Sequence, residues 1–435
     1  NNTGQILACP EDILVSIEVG ESNVPVGYNV SSACNCGDTI VQTAGLDSGE
    51  SFPIGTTSNC FILLDSLGAT IDSCCFDVTV TVFCLVGGIV FNTQEQIDSF
   101  SVNYPFCSII NGPVTIEGSD ITNLDGLSSI RYIEGSLIIW NNPVLDDLSG
   151  LDSLTYVGEI FTIANNSSLL HIPGFNSIQH IGNYLQFIQD SLLSDISGFN
   201  TINSIPELNI QINTALESIT GFQSLTSIQT GSLLISNNPE LNNLSGFSSL
   251  ISIGDNLYSG LKLYDNDSLT SLSGFDNLTS ITGNFELNGN NSLINLTGMS
   301  SLESITGGLL ISNNPVLINL NNLGALSFIG RVIQITNNFS LTNLVGLDQL
   351  SSVGTYAPLS ADNIIQNNLN LIDLVGLNAL TYISGSLHIK ENPLLQSLEG
   401  LDNINAISGS LSVENNNILT NLTGFNSLTS VGTGL

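Results

Sequence analysis

Basic residues are almost absent from this chain of 435 residues. It has 4 Lys and Arg against 38 Asp and Glu, which gives a formal net charge of −34. The cations Arg131, Lys262, Arg331 and Lys390 are far apart in the sequence. Nucleic-acid binding needs clustered cations that neutralise phosphates, and anionic membrane surfaces attract only basic segments. The sequence therefore excludes both as partners.

Long apolar runs are also missing. The longest, at 83–91, is about half of the ~18–20 residues that a membrane-spanning helix needs. Yet 42% of the residues are hydrophobic, which is too many for a disordered chain. We therefore expect a folded protein without a membrane span, built from two or three domains or from a repeat array with an extra domain.

Cysteine is absent from residues 108–435, and all eight cysteines lie in the first quarter of the chain. An even number in so short a segment predicts a disulfide framework and a secreted, extracellular or cell-surface protein, with a signal peptide removed before Asn1. The pairing stays open, and the adjacent or closely spaced cysteines do not fit a zinc site. The predicted disulfide residues are Cys9, Cys34, Cys36, Cys60, Cys74, Cys75, Cys84 and Cys107.

No catalytic constellation stands out. The chain has three histidines, His171, His180 and His388, and no Gly-x-Ser-x-Gly motif. The residues predicted to point outward from successive repeats do not place acids at neighbouring positions, as a glycoside hydrolase would require. The sequence predicts a protein that is not an enzyme and that needs no cofactor, with calcium as one open alternative.

Residues 1–83 predict a small all-β domain. The segments 12–19 and 76–82 nearly alternate apolar and polar residues between Gly, Pro and Asn, which is typical of short strands in a β-sandwich. Four motifs resemble the hyalin-repeat (HYR) domain: Cys-Pro-x-Asp-Ile at 9–13, Cys-Gly at 36–37, Ser-Phe-Pro-Ile-Gly-Thr-Thr at 51–57 and Cys-Phe-x-Val-Thr-Val at 75–80. The resemblance implies an immunoglobulin-like sandwich of the kind found in extracellular and adhesion-related proteins.

A repeat of about 24 residues fills the rest of the chain and decides its fold. A Gly before Leu, Phe or Met marks each repeat, and Asn322 takes the one missing slot: Gly126, Gly150, Gly174, Gly198, Gly221, Gly246, Gly274, Gly298, Gly346, Gly376, Gly400 and Gly424. A second marker follows each short apolar-x-apolar strand, at Asn142, Asn166, Asp190, Asn213, Asn238, Asn266, Asn290, Asn314, Asn338, Asn368, Asn392 and Asn416. Because nearly every repeat keeps the same residue type at the same position, the sequence predicts a structural ladder of buried side-chain amides.

The spacing of apolar residues, two and three apart, suits short strands with tight corners and leaves no room for long helices. We therefore predict a parallel β-solenoid of about 13 coils over residues 121–435, roughly 60 Å long at ~4.8 Å per coil. Residues 84–120 are predicted to be the linker and N-terminal cap, clipped by Cys84 and Cys107. Gly118 stands there in place of the ladder Asn, as an atypical terminal repeat should.

The repeat also resembles the receptor L domain, the leucine-rich-repeat-like β-helix of insulin- and EGF-receptor ectodomains. The resemblance rests on Gly-Ser-Leu-x-Ile-x-x-Asn-x-x-Leu-x-x-Leu-x-Gly-Leu at 135–151 and covers 111–435, with many more coils than those receptors have. Receptor signalling does not transfer. An HYR domain followed by long L-type repeats is similar to secreted bacterial surface proteins exported by type IX secretion, which implies a cell-surface or released protein.

Candidate sites lie outside the ladder. Two coils carry insertions before their strand, at 255–260 and 355–362, and such insertions often form one binding face, although tolerated surface loops are the alternative. The predicted binding loops contain Asp255, Tyr258, Tyr264, Tyr356 and Pro358. The calcium candidates are Asp146, Asp147, Asp265 and Asp267, whose carboxylates offer oxygen ligands. Asp-Ser/Thr-apolar motifs, which resemble O-glycosylation acceptors of such bacteria, predict modification at Thr39, Ser66, Ser153, Ser191 and Ser268.

Two functions follow as hypotheses. The repeat at 422–432 is regular rather than capped, so we expect further sequence or a second copy to cover that end, and we expect head-to-tail assembly into a filament. The first hypothesis is a non-enzymatic extracellular structural or adhesive protein that assembles with itself. The alternative is a recognition module that binds an extracellular glycan or protein through the insertion corner or an outer sheet.

Overall fold

The computed structural model describes residues 7–18, 20–33, 38–356 and 361–432. It confirms an all-β fold in which a small N-terminal domain continues into a parallel β-solenoid. Helices occur in the described residues only as short pieces: Gln94–Asp98, Phe100–Asn103 and the 3-10 turns Asp125–Leu127, Ser149–Leu151, Ser245–Phe247 and Asn321–Leu323. None of the helices found in these ranges is long and apolar enough to cross a membrane.

Each coil of the solenoid adds one strand to a parallel main sheet. Neighbouring strands keep one register, so that Leu137, Phe161 and Leu185 stack in a single buried column. The main sheet contains Ile89–Phe91, Val114–Ile116, Leu137–Trp140, Phe161–Ala164, Tyr184–Ile188, Glu207–Gln211, Ser232–Ser236, Gly260–Tyr264, Asn284–Asn288, Leu309–Ser312, Ile333–Thr336, Asp362–Gln366, Ser386–Lys390 and Leu411–Glu414. Within each strand, buried and outward residues alternate because the side-chain period of a strand is two.

The second side of each coil is a strand of two residues. Ten of these form one sheet: Ser204–Ile205, Ser227–Ile228, Ser252–Ile253, Ser280–Ile281, Ser304–Ile305, Phe328–Ile329, Ser352–Val353, Tyr382–Ile383, Ala406–Ile407 and Ser430–Val431. The earlier coils supply Tyr132–Ile133, Tyr156–Val157 and His180–Ile181 to a sheet shared with the N-terminal domain. A third, small sheet contains His171–Ile172, Asp195–Ile196 and Ser218–Ile219.

The N-terminal domain packs two short ribbons against a larger sheet. The ribbons pair Leu7–Ala8 with Ser31–Ser32 and Asn23–Pro25 with Ser51–Pro53. The larger sheet contains Ile13–Glu18, Thr39–Ala44, Gly55–Leu64 and Thr70–Cys84, and it continues through Cys107–Ile110 into the solenoid. Phe52 from a ribbon and Phe61, Phe76 and Val78 from the sheet share one buried core, which gives the two layers of a sandwich.

One strand joins the domain to the rod. Thr70–Cys84 pairs with Gly55–Leu64 along most of its length, and its last residues pair in parallel with Cys107–Ile110. The solenoid has about 14 turns, one more than predicted. The segment 84–120, predicted to be the linker and N-terminal cap, supplies the first two strands of the main sheet, Ile89–Phe91 and Val114–Ile116. Gly118 there donates its N–H to the Asn142 Oδ1 at 2.8 Å, so the ladder extends to this coil without an Asn.

The cysteines within the described residues form three disulfides. Cys9 bonds Cys74, Cys60 bonds Cys75, and Cys84 bonds Cys107. The adjacent Cys74 and Cys75 can serve different partners because successive side chains of a strand point to opposite faces. Cys34 and Cys36 lie outside the described residues.

Replacing both Cys84 and Cys107 with Ser is expected to lower the free energy of unfolding by about 3 kcal/mol, because the bond closes a loop with a sequence separation of 23 residues. Denaturant unfolding and amide hydrogen exchange of the first coils measure the effect. The matched control replaces Cys60 and Cys75, whose bond lies wholly inside the N-terminal domain. Unchanged exchange at 89–116 in the Cys84/Cys107 variant would contradict the prediction.

The interior of the rod is a set of stacked apolar columns. In one of them the rings of Phe175, Phe199, Phe222, Phe247 and Phe275 stack from coil to coil, with neighbouring centroids 5.1–6.0 Å apart. The marker Gly of each repeat stands one residue before this column. A Cβ there would collide with the preceding coil: at position 346 it would lie 1.9 Å from the Leu320 carbonyl oxygen. Close coil-to-coil approach therefore explains the marker Gly.

The ladder side chains are buried and bond along the rod. The Asn314 Oδ1 accepts from the N–H and the Nδ2 of Asn290 at 3.1 and 3.4 Å. The Asn314 Nδ2 donates to the carbonyl oxygens of Leu287 and Ser312 at 3.2 and 2.9 Å and to the Asn338 Oδ1 at 3.3 Å. The ladder residues from Asn142 to Asn392 are fully buried, and Asn416 is half-buried. Each amide thus connects its own coil with both neighbours.

Candidate functional site

A second column of polar residues runs outside the ladder. The residue before each ladder position adopts a left-handed backbone conformation, as at Asn237 with φ 57° and Asn313 with φ 55°. Asn tolerates this conformation better than most residues. The side chains also bond along the rod: the Asn367 Nδ2 donates to the Asn337 Oδ1 at 2.6 Å, and the Asn337 Nδ2 donates to the Asn313 Oδ1 at 2.9 Å. We call these left-handed residues the corner column.

Sequence reasoning missed the corner column, although a signal was present. Several ladder positions are preceded by a second Asn, and a pair of Asn at a turn is a pattern for one residue in the left-handed region. The members of the corner column are Asn141, Asn165, Gln189, Ile212, Asn237, Asp265, Gly289, Asn313, Asn337, Asn367, Glu391 and Asn415. Gly289 is the one member without a side chain.

A cleft of about 400 Å³ opens on the outer face of the main sheet beside Gly289. Three coils line it with strand residues, and two more lining residues come from the corner column. The lining residues are Asn237, Tyr264, Asp265, Glu286, Asn288, Leu310 and Ser312. Apart from Leu310 and the Tyr264 ring, the cleft presents amide, carboxylate and hydroxyl groups.

Tyr264 and Glu286 form the centre of the cleft. Tyr264 is the last residue of its strand, and its hydroxyl donates to the Glu286 Oε2 of the next coil. The Glu286 Oε1 accepts from the Asn284 Nδ2 at 2.9 Å. Burial and the bond to Glu286 raise the pKa of the Tyr264 hydroxyl, so it stays protonated at physiological pH. The ring is therefore held in place at the surface of the cleft.

The two insertions do not come together in the structure. They precede the strands Gly260–Tyr264 and Asp362–Gln366, which are four coils apart in the main sheet, or roughly 19 Å at ~4.8 Å per coil. Insertions in different coils stay apart because each coil contacts only its neighbours. They therefore form two separate loops rather than one binding face.

The first insertion is anchored by polar bonds. The Asn256 Oδ1 accepts from the Tyr258 N–H at 2.9 Å, and the buried Ser259 hydroxyl donates to the Thr282 carbonyl oxygen at 2.5 Å. Asp255 is exposed and accepts from the Asn256 Nδ2 at 2.7 Å. The Tyr258 side chain is 88% exposed, so it is free to contact a partner. Tyr264, predicted as part of this loop, belongs to the cleft instead.

The second insertion packs on the rod. The Tyr356 N–H donates to the Gly330 carbonyl oxygen at 2.7 Å, and the Tyr356 ring lies edge-on to Phe328 with centroids 5.8 Å apart. Tyr356 still exposes 59% of its surface. Pro358 lies outside the described residues.

The structure does not gather the calcium candidates into a metal centre. Asp146 and Asp147 belong to an early coil, and the Asp147 carboxylate accepts from the N–H and the hydroxyl of Ser149 at 2.8 Å each. Asp265 lies in the cleft, and the Asp267 Oδ1 accepts from the Asn291 Nδ2 at 2.7 Å. Across the described ranges, no group of three or more His, Cys, Asp or Glu is arranged to hold a metal ion.

A second cleft, also of about 400 Å³, contains Asp146 and Asp147 together with Asp152 and His171. Several of its polar groups are already engaged. The Asp152 Oδ1 accepts from the Phe175 N–H at 3.1 Å, and the His171 Nδ1 lies 3.2 Å from the Ser194 hydroxyl.

An aromatic row on the second sheet was also missed by sequence reasoning. Tyr132, Tyr156 and His180 occupy paired positions on three successive strands. Their 24-residue spacing was the available signal. The Tyr156 and His180 rings stack with centroids 4.6 Å apart, and Tyr132 lies 5.8 Å from Tyr156. Because the rings cover each other's faces, the row stabilises the sheet rather than offering open faces to a ligand.

The predicted glycosylation residues differ in exposure. Thr39, Ser66 and Ser191 are exposed, whereas Ser153 and Ser268 are half-buried. A glycan is bulky and needs an exposed acceptor. The first three residues are therefore the better acceptors.

Comparison with known proteins confirms both family resemblances. The family model of the HYR domain matches residues 4–80, and that of the receptor L domain matches residues 106–189. A hyalin of Strongylocentrotus purpuratus is 34% identical over 74 residues, which are 17% of this chain and 6% of that protein. A hyalin of Lytechinus variegatus is 29% identical over 80 residues, which are 18% of this chain and 15% of that protein.

The chain thus spans less than a sixth of the length of these relatives. No solved structure matches the chain. Both hyalins are eukaryotic, so the comparisons do not support the predicted bacterial origin.

Proposed function

We propose that the chain belongs to a non-enzymatic extracellular protein with a structural and adhesive role, in which the solenoid is a rod that carries the HYR domain. The observation behind this proposal is the strand Thr70–Cys84, which pairs with both parts and joins them without a flexible linker. The disulfides and the HYR match support an extracellular location. A rod attached in this way would hold the domain at a fixed distance and orientation.

The test uses the cells that make the protein. An antibody against the solenoid is expected to stain intact cells or to detect the chain in the medium, and to reduce attachment of the cells to a surface. An antibody against an unrelated surface protein is the control. Detection only after the cells are permeabilised would contradict the proposal.

Head-to-tail assembly is the finer part of the proposal. Val413, Leu419, Phe425 and Leu428 belong to the core of the coil at 411–432 but are only partly buried. A second copy seated on this coil would cover them. The net charge of −34 opposes side-by-side contact, which favours end-to-end contact.

Sedimentation velocity over a range of concentrations is expected to show species that grow with concentration, and electron microscopy is expected to show fibres of one rod width. Replacing Leu419 with Glu should keep the protein monomeric, whereas the same change at the exposed Leu170 should not. A chain that remains monomeric at high concentration would contradict assembly.

A recognition function is the second candidate, and the cleft beside Gly289 supports it. Free amide and carboxylate groups around a fixed aromatic ring are typical of a ligand site. Deleting 255–259 tests the insertion corner separately: loss of ligand binding with assembly intact would favour recognition through that loop.

Export by type IX secretion and O-glycosylation stay predictions. Mass spectrometry of native protein is expected to find glycans on Thr39, Ser66 or Ser191. Unmodified peptides covering these three residues would contradict glycosylation there.

A further inference from the structure

We propose that the cleft beside Gly289 binds a short, uncharged saccharide. This inference rests on the recognition function proposed above and assigns it a site and a class of ligand. It depends on how one missing side chain changes the outer face of the main sheet.

The corner column is interrupted next to the cleft. Coils on either side carry Asp265 and Asn313 at the corner position, whereas Gly289 carries nothing there. The preceding residue takes over the bond to the next coil: the Asn288 Oδ1 accepts from the Ser312 hydroxyl at 3.0 Å and from the Asn313 Nδ2 at 2.7 Å. The side-chain hydrogen bonds of the corner column therefore pass around Gly289, and the Asp265 carboxylate lies where a side chain at position 289 would begin.

Polar groups in the cleft have capacity left for a ligand. Among the described residues, the side chains of Asn237 and Asp265 make no hydrogen bond, and neither does the Nδ2 of Asn288. The cleft thus offers amide donors, a free carboxylate and an amide carbonyl. Hydroxyl groups can donate and accept at the same site, so a polyhydroxylated molecule satisfies all three kinds of group.

The other ligand classes fit less well. Anions are disfavoured because Asp265 and Glu286 line the cleft, and the ammonium of Lys262 lies 3.3 Å from the Tyr258 carbonyl oxygen. An apolar ligand would find only Leu310 and the Tyr264 ring. A ring face beside hydrogen-bonding groups matches a sugar, which has an apolar C–H face and hydroxyls at its edge. The cleft spans three coil spacings, roughly 14 Å at ~4.8 Å per coil, which fits a short oligosaccharide.

Gly289→Asn is the decisive variant. It gives this coil the residue that neighbouring coils carry at the corner, and Asn already adopts the same left-handed conformation at Asn237 and Asn313. The new Cβ would lie 2.1 Å from the Asp265 Oδ1, so the exposed Asp265 carboxylate, which lines the cleft, must move. We expect the variant to keep its thermal stability and to lose ligand affinity by about tenfold or more.

The experiment titrates the chain with a panel of neutral di- to tetrasaccharides of hexoses and N-acetylhexosamines, followed by saturation-transfer NMR and calorimetry. The wild type is expected to bind at least one of them, and the Gly289→Asn variant is expected to bind it far more weakly. The matched control, Asn141→Gly, removes a corner side chain six coils away and should leave binding unchanged.

Two results with the saccharides would overturn the proposal: no binding by any of them, or equal binding by the wild type and Gly289→Asn. A third would be calcium binding at the cleft, seen with calcium chloride alone and lost in Asp265→Asn. The extracellular role is judged separately by antibody staining of intact cells. Surface staining without saccharide binding would therefore reject the cleft and leave the proposed function standing.

Discussion

Replacing Asp190 with Asn is expected to stabilise the solenoid at neutral pH. It should also remove most of the pH dependence of stability in the coils around residue 190. Asp190 is the one carboxyl group in the ladder, and it is fully buried. Its Oδ1 accepts from the N–H and the Nδ2 of Asn166 at 2.7 and 3.3 Å. Its Oδ2 has no hydrogen-bond partner among the described residues.

The neighbouring coils show which hydrogen-bond donor is missing at Asp190, because their ladder Asn carries an Nδ2 where Asp190 carries its Oδ2. The Nδ2 of Asn166 donates to the Ile139 carbonyl oxygen, and that of Asn213 donates to the Phe187 carbonyl oxygen, each at 3.1 Å. Strand register places Ile163 between these two carbonyls. A carboxylate cannot donate to the Ile163 oxygen, whereas a neutral carboxylic acid can. Asn restores the donor at every pH.

Burial raises the pKa of Asp190 from 3.8 to about 7 in the folded chain. Because the folded pKa is the higher one, the stabilising effect of the proton is complete below pH 3.8 and is lost as the pH rises to about 7. About three pKa units at ~1.4 kcal/mol each amount to about 4 kcal/mol. The free energy of unfolding of Asp190→Asn should therefore exceed that of the wild type by about this amount at pH 8 and by little at pH 3.5.

Urea unfolding between pH 3.5 and 8, with hydrogen exchange of the coils around residues 166–213, measures the effect. Asp146→Asn, which removes an exposed carboxylate, is the control and should follow the wild type. The prediction is that the wild type loses stability relative to Asp190→Asn as the pH rises from 4 to 7. If the difference in unfolding free energy between the two proteins stays constant over this range, the Asp190 carboxyl is not protonated in the folded state.

Sequence reasoning recovered the parts of the fold that repeat. The ladder phase could be predicted because eleven coils keep Asn at one position and each contact recurs in every coil. The disulfide pairing could not, because it depends on the register of Thr70–Cys84 with its neighbours. The two insertions share a phase in the repeat, yet four coils separate them in space. The position of a residue within the repeat predicts which side of the rod it lies on. Whether two such residues touch depends on how many coils separate them.

The cleft was beyond sequence reasoning for a related reason. It is lined by residues from four coils, and which of them share one cleft follows from the strand register. Tyr264 was selected from the sequence as an insertion residue, but its own strand places it beside Glu286. A residue that interrupts a regular column is therefore a position at which we expect a local function in this rod.

Replacing Asn314 with Ala is expected to destabilise the rod by about 3–6 kcal/mol. The change removes five side-chain hydrogen bonds and leaves the Asn290 N–H and the Leu287 carbonyl oxygen buried without these partners. Each buried polar group left unsatisfied costs ~1–3 kcal/mol, and the cavity adds to the loss. The effect should exceed that of most single substitutions because one amide serves three coils.

The adjacent Asn313 provides the control, since it is the same residue type on the outer side of the corner. Asn313→Gly keeps the left-handed conformation at φ 55° and removes only exposed bonds, so it should cost about 1 kcal/mol or less. Urea unfolding compares the two variants, and hydrogen exchange locates the loss. Protection should fall in the coils at 290, 314 and 338 and remain at 142, because each coil depends on its nearest neighbours. Equal effects of the two variants would mean that the buried ladder contributes no more to stability than an exposed row of amides.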